Sequence, residues 1–252
     1  MGRLRTVTVL GGYGIFGSRS SKALSQHPDV RIRIAGRSRQ LGENLARSID
    51  ADFLPCNLDE DHSIRRAVSE SHVVIHTAGP FQNKDYRVAK LCIEAGSHYL
   101  DISDARQFVV GISSLDDFAR RHGVFVTSGV SSVPALTAAL IKELAPEFLH
   151  IDRITIGLSP GNQNPRGAST IAAILSYLGR PIIVVEDAHK KTVTGWGDSH
   201  YVDFPPPVGS RLVHNCEVPD LELFPKLWNA RTGFMLGLSC VFSITSSLLL
   251  RC

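Results

Sequence analysis

The feature that most constrains this chain is the run Thr6-Val7-Thr8-Val9-Leu10-Gly11-Gly12-Tyr13-Gly14-Ile15-Phe16-Gly17, in which β-branched residues give way to glycines. It predicts a strand, a tight loop and a helix start. Gly12, Gly14 and Gly17 fall on the G-x-G-x-x-G spacing, and each position has a physical requirement: a tight turn, close approach of backbone to a pyrophosphate, and close packing of helix on strand. The helix after the loop offers free N–H groups and the positive end of its dipole to phosphate. Gly12, Tyr13, Gly14, Ile15, Phe16 and Gly17 are therefore the first expected cofactor-binding residues.

Beyond the loop, strands and helices continue to alternate. Val30 to Ala35 alternates apolar and charged residues and stops at Gly36-Arg37-Ser38. In a dinucleotide fold this strand ends at the adenosine ribose, where a carboxylate takes the 2′-hydroxyl of NAD. Arg37 and Ser38 supply a cation and a hydroxyl instead, which suit the 2′-phosphate of NADP. NADP(H) is thus expected ahead of NAD, the plain alternative being that Arg37 caps a surface turn. Leu41, Leu45 and Ile49 mark a helix, and Ala51 to Cys56 a third strand. After it, Asp59 is placed either beside the adenine or as the cap of a helix from Glu60 to Ser69.

Val73 to Phe81 reads as one continuous, buried parallel strand ending in a Gly-Pro turn, so Ala78, Gly79 and Pro80 should border the cofactor. A helix from Tyr86 to Ala95, with Val88, Leu91, Cys92 and Ala95 inward, leads to a strand from His98 to Ile102. A helix from Val109 to His122 and a strand from Val124 to Ser128 come next. Six strands alternating with helices specify the α/β class, a Rossmann doubly wound parallel sheet, over residues 1–130.

Beyond Gly129 the pattern changes. Ser131-Ser132-Val133-Pro134 has the serine and early proline of a helix start. Ile151–Leu158 and Ile182–Val185 read as strands and Ala168–Leu178 as a helix. Lys190–Phe204 reads as a hairpin turning at Gly195-Trp196-Gly197, and Pro205-Pro206-Pro207 as a stiff connector. Residues 131–252 are therefore expected to form a smaller α+β domain for substrate binding, with antiparallel strands and a covering helix. Thr232 to Leu250 lacks charge over a length near that of a membrane span; its glycines, serines and threonines favour a buried strand and helix, with membrane association through 232–250 the alternative.

With these segments in place, the chain resembles the saccharopine dehydrogenase-like family of NADP-binding proteins, in a bacterial branch of unassigned substrate. The likeness is carried by the glycine loop, Ala35-Gly36-Arg37, Ala78-Gly79-Pro80-Phe81 and Ala95-Gly96-Ser97-His98-Tyr99-Leu100-Asp101. Gly129-Val130-Ser131-Ser132-Val133-Pro134 and Cys216-Glu217-Val218-Pro219-Asp220-Leu221 extend it. The resemblance implies a Rossmann domain followed by an α+β domain whose open sheet supports substrate binding and often a homodimer. It also implies that the chain stops at Cys252 before the family's final helices.

Hydride transfer needs a proton donor or acceptor beside the cofactor. Asp101 and Asp104 are candidates because they sit at the carboxyl end of a strand, where ligands bind in open α/β sheets. Turn capping by aspartate is the plain alternative. Tyr86 with Lys90 fits Y-x-x-x-K, in which lysine lowers the pKa of a tyrosine; a helix-start tyrosine with an exposed lysine is the alternative there. His76 and His98 read as core histidines. The formal charge of +3 is dispersed, which argues against nucleic acid. Five cysteines without a C-x-x-C pair fit reduced thiols in a cytoplasm and no metal site. The chain starts almost directly in a strand, with no signal-peptide pattern. The function these residues suggest is an NADP-dependent oxidoreductase acting on a carbonyl, imine or activated alkene of a small molecule. A noncatalytic NADP(H)-binding sensor or interaction protein is the alternative from another class.

Overall fold

A computed structural model describes residues 4–161, 165 and 167–237. The chain divides into two compact units, the first running to Leu140 and taking in the chain again up to Ala173, the second comprising Ile141–Pro165 and the chain from Ile174 on.

In the first unit β1 (Arg5–Leu10), β2 (Val30–Gly36), β3 (Asp52–Pro55), β4 (Val73–His76), β5 (His98–Asp101) and β6 (Val126–Thr127) form one sheet. Their order is β3-β2-β1-β4-β5-β6, and every pairing is parallel. The helices between them are α1 (Ile15–Leu24), α2 (Arg39–Ser48), α3 (Asp61–Val68), α4 (Arg87–Glu94), α5 (Arg106–Gly111) and α6 (Asp116–Arg121). This is the doubly wound Rossmann order, with its switch point between β1 and β4.

Both faces of the sheet are dry, as parallel sheets require. Val7, Val9, Ile32 and Ile34 pack on Ala46 and Leu45 of α2. Leu10, Val74 and Tyr99 pack on Ile64 and Val68 of α3 and on Leu91, Cys92 and Ile93 of α4. Each such side chain contributes roughly 1.5–3 kcal/mol when fully buried.

Several local expectations change. The fourth strand stops at His76: the Thr77 N–H makes the last bond to β1, at Leu10 O, and residues 77–80 then leave the sheet as a loop. Leu41 is 56% exposed, and α2 instead buries Gly42 and Ala46, since any Cβ at Gly42 would overlap the Phe53 ring. Ala95 is exposed, with Ile93 inward in its place. The helix expected from Val109 to His122 breaks into α5, a 3-10 turn over Ile112–Leu115 and α6; Gly111, Ile112, Ser113 and Ser114 are weak helix formers. Ser131–Pro134 opens the helical stretch that ends at Leu144, but through a kinked π-helical turn over Ser132–Leu136. Val133 is extended, at φ −124° and ψ 125°, as the residue before proline prefers, and α7 (Thr137–Leu144) begins after it.

The second unit holds β7 (Arg153–Leu158), β8 (Pro181–Glu186), β9 (His189–Thr194), β10 (His200–Phe204), β11 (Gly209–Asn215) and β12 (Thr232–Gly237). α8 (Ala168–Leu175) precedes β8, and α9 (Asp220–Leu227) precedes β12. β12 pairs with β7 along its whole length, with β8 at Gly233 and with β11 at Leu236 and Gly237. The hairpin expected across Gly195-Trp196-Gly197 does not form. β9 pairs with β8 and β10 with β11, so β9 and β10 end on opposite edges of the order β10-β11-β12-β8-β9. Pro205–Pro207 lies in the β10–β11 turn rather than in a connector. Of the uncharged stretch 232–250, residues 232–237 are strand β12; the expected helix and the membrane alternative fall outside the described residues. Among the described residues no helix is long and apolar enough to cross a membrane.

Candidate functional site

The loops at the carboxyl ends of β1, β2, β3 and β4 enclose a cleft of about 350 Å³ at the switch point. Its floor is the glycine loop. Gly11 holds φ +75°, and a Cβ there would come 2.9 Å from Ala78 Cβ, so the left-handed turn falls at Gly11 and not at Gly12. Gly14 occupies the N-cap of α1 without a side-chain cap, which leaves the first-turn N–H groups without intrahelical acceptors. A Cβ on Gly17 would lie 2.3 Å from Gly11 O and 2.6 Å from Thr77 Oγ1, which explains the last glycine of the motif: α1 rests directly on the loop. Gly11, Tyr13 and Gly14 line the cleft, whereas Gly12, Ile15, Phe16 and Gly17 do not; Ile15 and Phe16 are the first residues of α1.

The end of β2 forms one wall through Gly36 and Arg37. Arg37 is exposed, and among the described residues its guanidinium has no hydrogen-bond or ion-pair partner. Ser38 is less available, because its hydroxyl accepts the Leu41 N–H at 3.4 Å and caps α2. Asn57, Leu58 and Asp59 form the next stretch of wall. Asp59 does not cap α3, whose N-cap is Glu60; its own N–H donates to Asn57 Oδ1 at 3.1 Å. The loop is held by Arg87, at the start of α4, which donates to Leu58 O and to Asp59 O at 3.3 Å and lies 3.6 Å from Asp61 Oδ1.

The far end of the cleft is made by His76, Thr77, Ala78, Gly79, Pro80 and Phe81, with Lys84 and Ser169 at its margin. Ser169 donates to Gly79 O at 2.9 Å. His76 is buried, hydrogen-bonded through Nδ1 to the Tyr99 hydroxyl at 3.0 Å and packed on Phe81. Burial lowers its pKa to about 4, the Ala78 backbone opposing and the Lys84 charge adding, so the ring is neutral at pH 7.

Asp101, Asp104 and Tyr86, the side chains expected to carry acid–base chemistry, do not line this cleft. Asp101 is fully buried, and its Oδ1 accepts from Ser103 N–H at 2.9 Å, Ser128 Oγ at 2.7 Å and Gly129 N–H at 3.1 Å. It latches the end of β5 to the end of β6. Burial raises its pKa against those hydrogen bonds. Asp104 accepts from Gln82 Nε2 at 3.2 Å, and burial raises it as well. The Tyr86 hydroxyl donates to Phe108 O at 2.9 Å. Its pKa moves up through burial and the charge of Asp101, opposite to the shift that Y-x-x-x-K chemistry requires, and Lys90 is exposed. His76, Lys84, Arg87, Asn57 and Ser169 were not legible as cleft residues; His76 comes to a strand's carboxyl end only because β4 is shorter than expected.

The fold and this cleft define a dinucleotide-binding Rossmann domain. Residues 7–141 match the family described as the saccharopine dehydrogenase NADP binding domain, and the chain belongs to that family. NADP is accordingly the dinucleotide of the domain. No curated protein matches the chain in sequence. Among solved structures, saccharopine dehydrogenase (L-Glu forming) of Saccharomyces cerevisiae superposes with a TM-score of 0.70 at 16% identity, covering 92% of this chain and 54% of that one. The chain thus spans about half the length of that enzyme, and the likeness is one of fold. KijD10, a 3-ketoreductase from Actinomadura kijaniata solved with NADP, matches at a TM-score of 0.45 and 14% identity over 64% of this chain and 49% of that one, too slight a likeness to argue from.

Proposed function

We propose that the protein is an NADP-dependent oxidoreductase that moves hydride to or from a carbonyl, imine or activated alkene of a small molecule. The observation that carries this reading is an unpaired Arg37 at the end of β2, on the wall of a switch-point cleft whose glycine floor a Cβ would obstruct. Arg37 suits a 2′-phosphate, which a carboxylate at this position would repel. The glycine loop and the first turn of α1 face the pyrophosphate, and Asn57–Asp59 the adenine. Ala78–Pro80 borders the nicotinamide, which supplies or accepts the hydride when bound. The second unit selects the substrate and pairs two copies as a homodimer, in the cytoplasm.

A noncatalytic NADP(H)-binding role is the second reading. It is favoured by the burial of Asp101 and the internal bonding of Asp104 and Tyr86, which leave the cleft without those acid–base groups. Calorimetric titration with NADPH and NADH, repeated with Arg37→Asp, tests the cofactor site. The expected result is tighter binding of NADPH, with the preference lost on substitution. Consumption of NADPH with representative imines, ketones and enones then separates the two readings, since a binding protein turns over none of them.

A further inference from the structure

The residue between Gly12 and Gly14 does more than fill space. Tyr13 reaches from the phosphate loop to the turn after β2, and its ring lies on Gly36 so closely that a Cβ there would stand 2.5 Å from Tyr13 Cε1 and 2.8 Å from its hydroxyl oxygen. At the end of that reach the phenolic oxygen accepts the Ser38 N–H at 2.7 Å.

The backbone donor of this turn is committed. The Ser38 N–H, which would otherwise point to an anion beside Arg37, is already used. The Ser38 hydroxyl oxygen accepts the Leu41 N–H as the cap of α2 and keeps its own proton to donate. The phenol also carries one proton of its own. Accepting from Ser38 leaves that proton free, and among the described residues nothing accepts it. Tyr13 and Arg37 both line the cleft. The turn has exchanged a backbone donor for a side-chain donor.

We infer that Tyr13 is a second determinant of the choice of NADP over NAD, donating its phenolic proton to the 2′-phosphate while Arg37 supplies the positive charge. The inference rests on the NADP reading of the cleft. A phosphate accepts a charge-assisted hydrogen bond, whereas the neutral 2′-hydroxyl of NAD gains only an ordinary one, so the phenol discriminates by charge without contacting the reacting end of the cofactor. Ser38 N–H fixes the oxygen, and Gly36 admits the ring.

The test is calorimetry on the full chain with NADPH, NADH, 2′,5′-ADP and 5′-ADP, comparing the wild type with Tyr13→Phe. Phenylalanine keeps the ring on Gly36 and removes the donor. The expected result is a loss of roughly ten-fold or more in affinity for NADPH and 2′,5′-ADP, with NADH and 5′-ADP changed less than about two-fold. Equal weakening of both pairs, or no change in either, overturns the inference. A wild type that prefers NADPH, beside an unaffected Tyr13→Phe, removes Tyr13 and leaves the NADP reading standing. A wild type that binds neither nucleotide, or both alike, removes that reading and this one with it. Should Tyr13→Phe fold poorly, Gly36→Ala takes its place: the new methyl displaces the ring, and the same selective loss is expected from a residue with no donor of its own.

Discussion

The imidazole Nδ1 of His76 lies 3.0 Å from the phenolic oxygen of Tyr99, and both rings are buried, at 6% and 0% exposure. One strand's last residue thus reaches the middle of its neighbour on the side of the sheet that carries Asp101. This polar group is set into an apolar layer, and its protonation is coupled to folding.

The pH dependence is set by the sign of the shift. His76 titrates at about 4 in the folded chain and near 6.5 when unfolded. Below about pH 6.5 the unfolded chain takes up a proton that the folded chain refuses, so this contribution is present at neutral pH and is lost as pH falls toward about 4. Its upper bound is about 3 kcal/mol. Asp101 works in the other direction, because burial raises its pKa and acidification there favours the folded state. Urea unfolding of wild type and His76→Gln between about pH 7 and about pH 5 isolates the histidine: the wild type should lose more stability on acidification than the variant. Parallel curves would show that His76 protonates as readily folded as unfolded.

Gly17→Ala places a methyl 2.3 Å from Gly11 O and 2.8 Å from Gly12 Cα, both backbone atoms that cannot rotate away. The expected cost is about 1–3 kcal/mol in urea unfolding, together with weaker NADPH binding, because the loop that moves is the floor of the cleft. Unaltered affinity would mean that the loop adapts without losing its donors.

Asp101 acts as a latch, and its variants should report structure. Asp101→Asn keeps an acceptor oxygen for Ser103, Ser128 and Gly129 and should cost under about 2 kcal/mol, whereas Asp101→Ala strands those donors and should cost about 3–5 kcal/mol. NADPH affinity of the asparagine variant should remain within about two-fold of wild type. A stable Asp101→Asn chain that has lost cofactor binding or turnover would return this carboxylate to the site.

Tyr86→Phe removes the hydroxyl's bond to Phe108 O at 2.9 Å and its longer contact with Gln107 O at 3.4 Å, and leaves the ring packed on Phe108. About 1 kcal/mol of stability should go, with NADPH binding unchanged, and Lys90→Ala should affect neither. A selective fall in turnover for Tyr86→Phe would revive the tyrosine–lysine pair.

The alternation of strands and helices and the glycine floor were legible in the sequence because their requirements are local: β-branched runs make buried strands, and positions crowded by backbone admit only glycine. The site's other side chains were not, because their partners are remote. Asp101 meets Ser128 and Gly129 across 27 and 28 residues, so nothing near it announces that its carboxylate is already engaged. Arg87 grips a loop 28 and 29 residues earlier. The second unit misled for a related reason. Gly195-Trp196-Gly197 does turn, with Trp196 at φ +65° and Asp198 at φ +51°. The strands on either side are nevertheless drawn apart, because β12, much later in the chain, sits between β8 and β11 in the sheet.

In a doubly wound sheet the two halves diverge at the switch point, and only the strands hold the crevice at a given width. Here Arg87, on the helix after β4, hooks the carbonyls of the loop after β3, stapling the halves together above the sheet. One side chain therefore ties together two stretches of cleft wall that come from opposite halves of the sheet, so replacing Arg87 would free both at once.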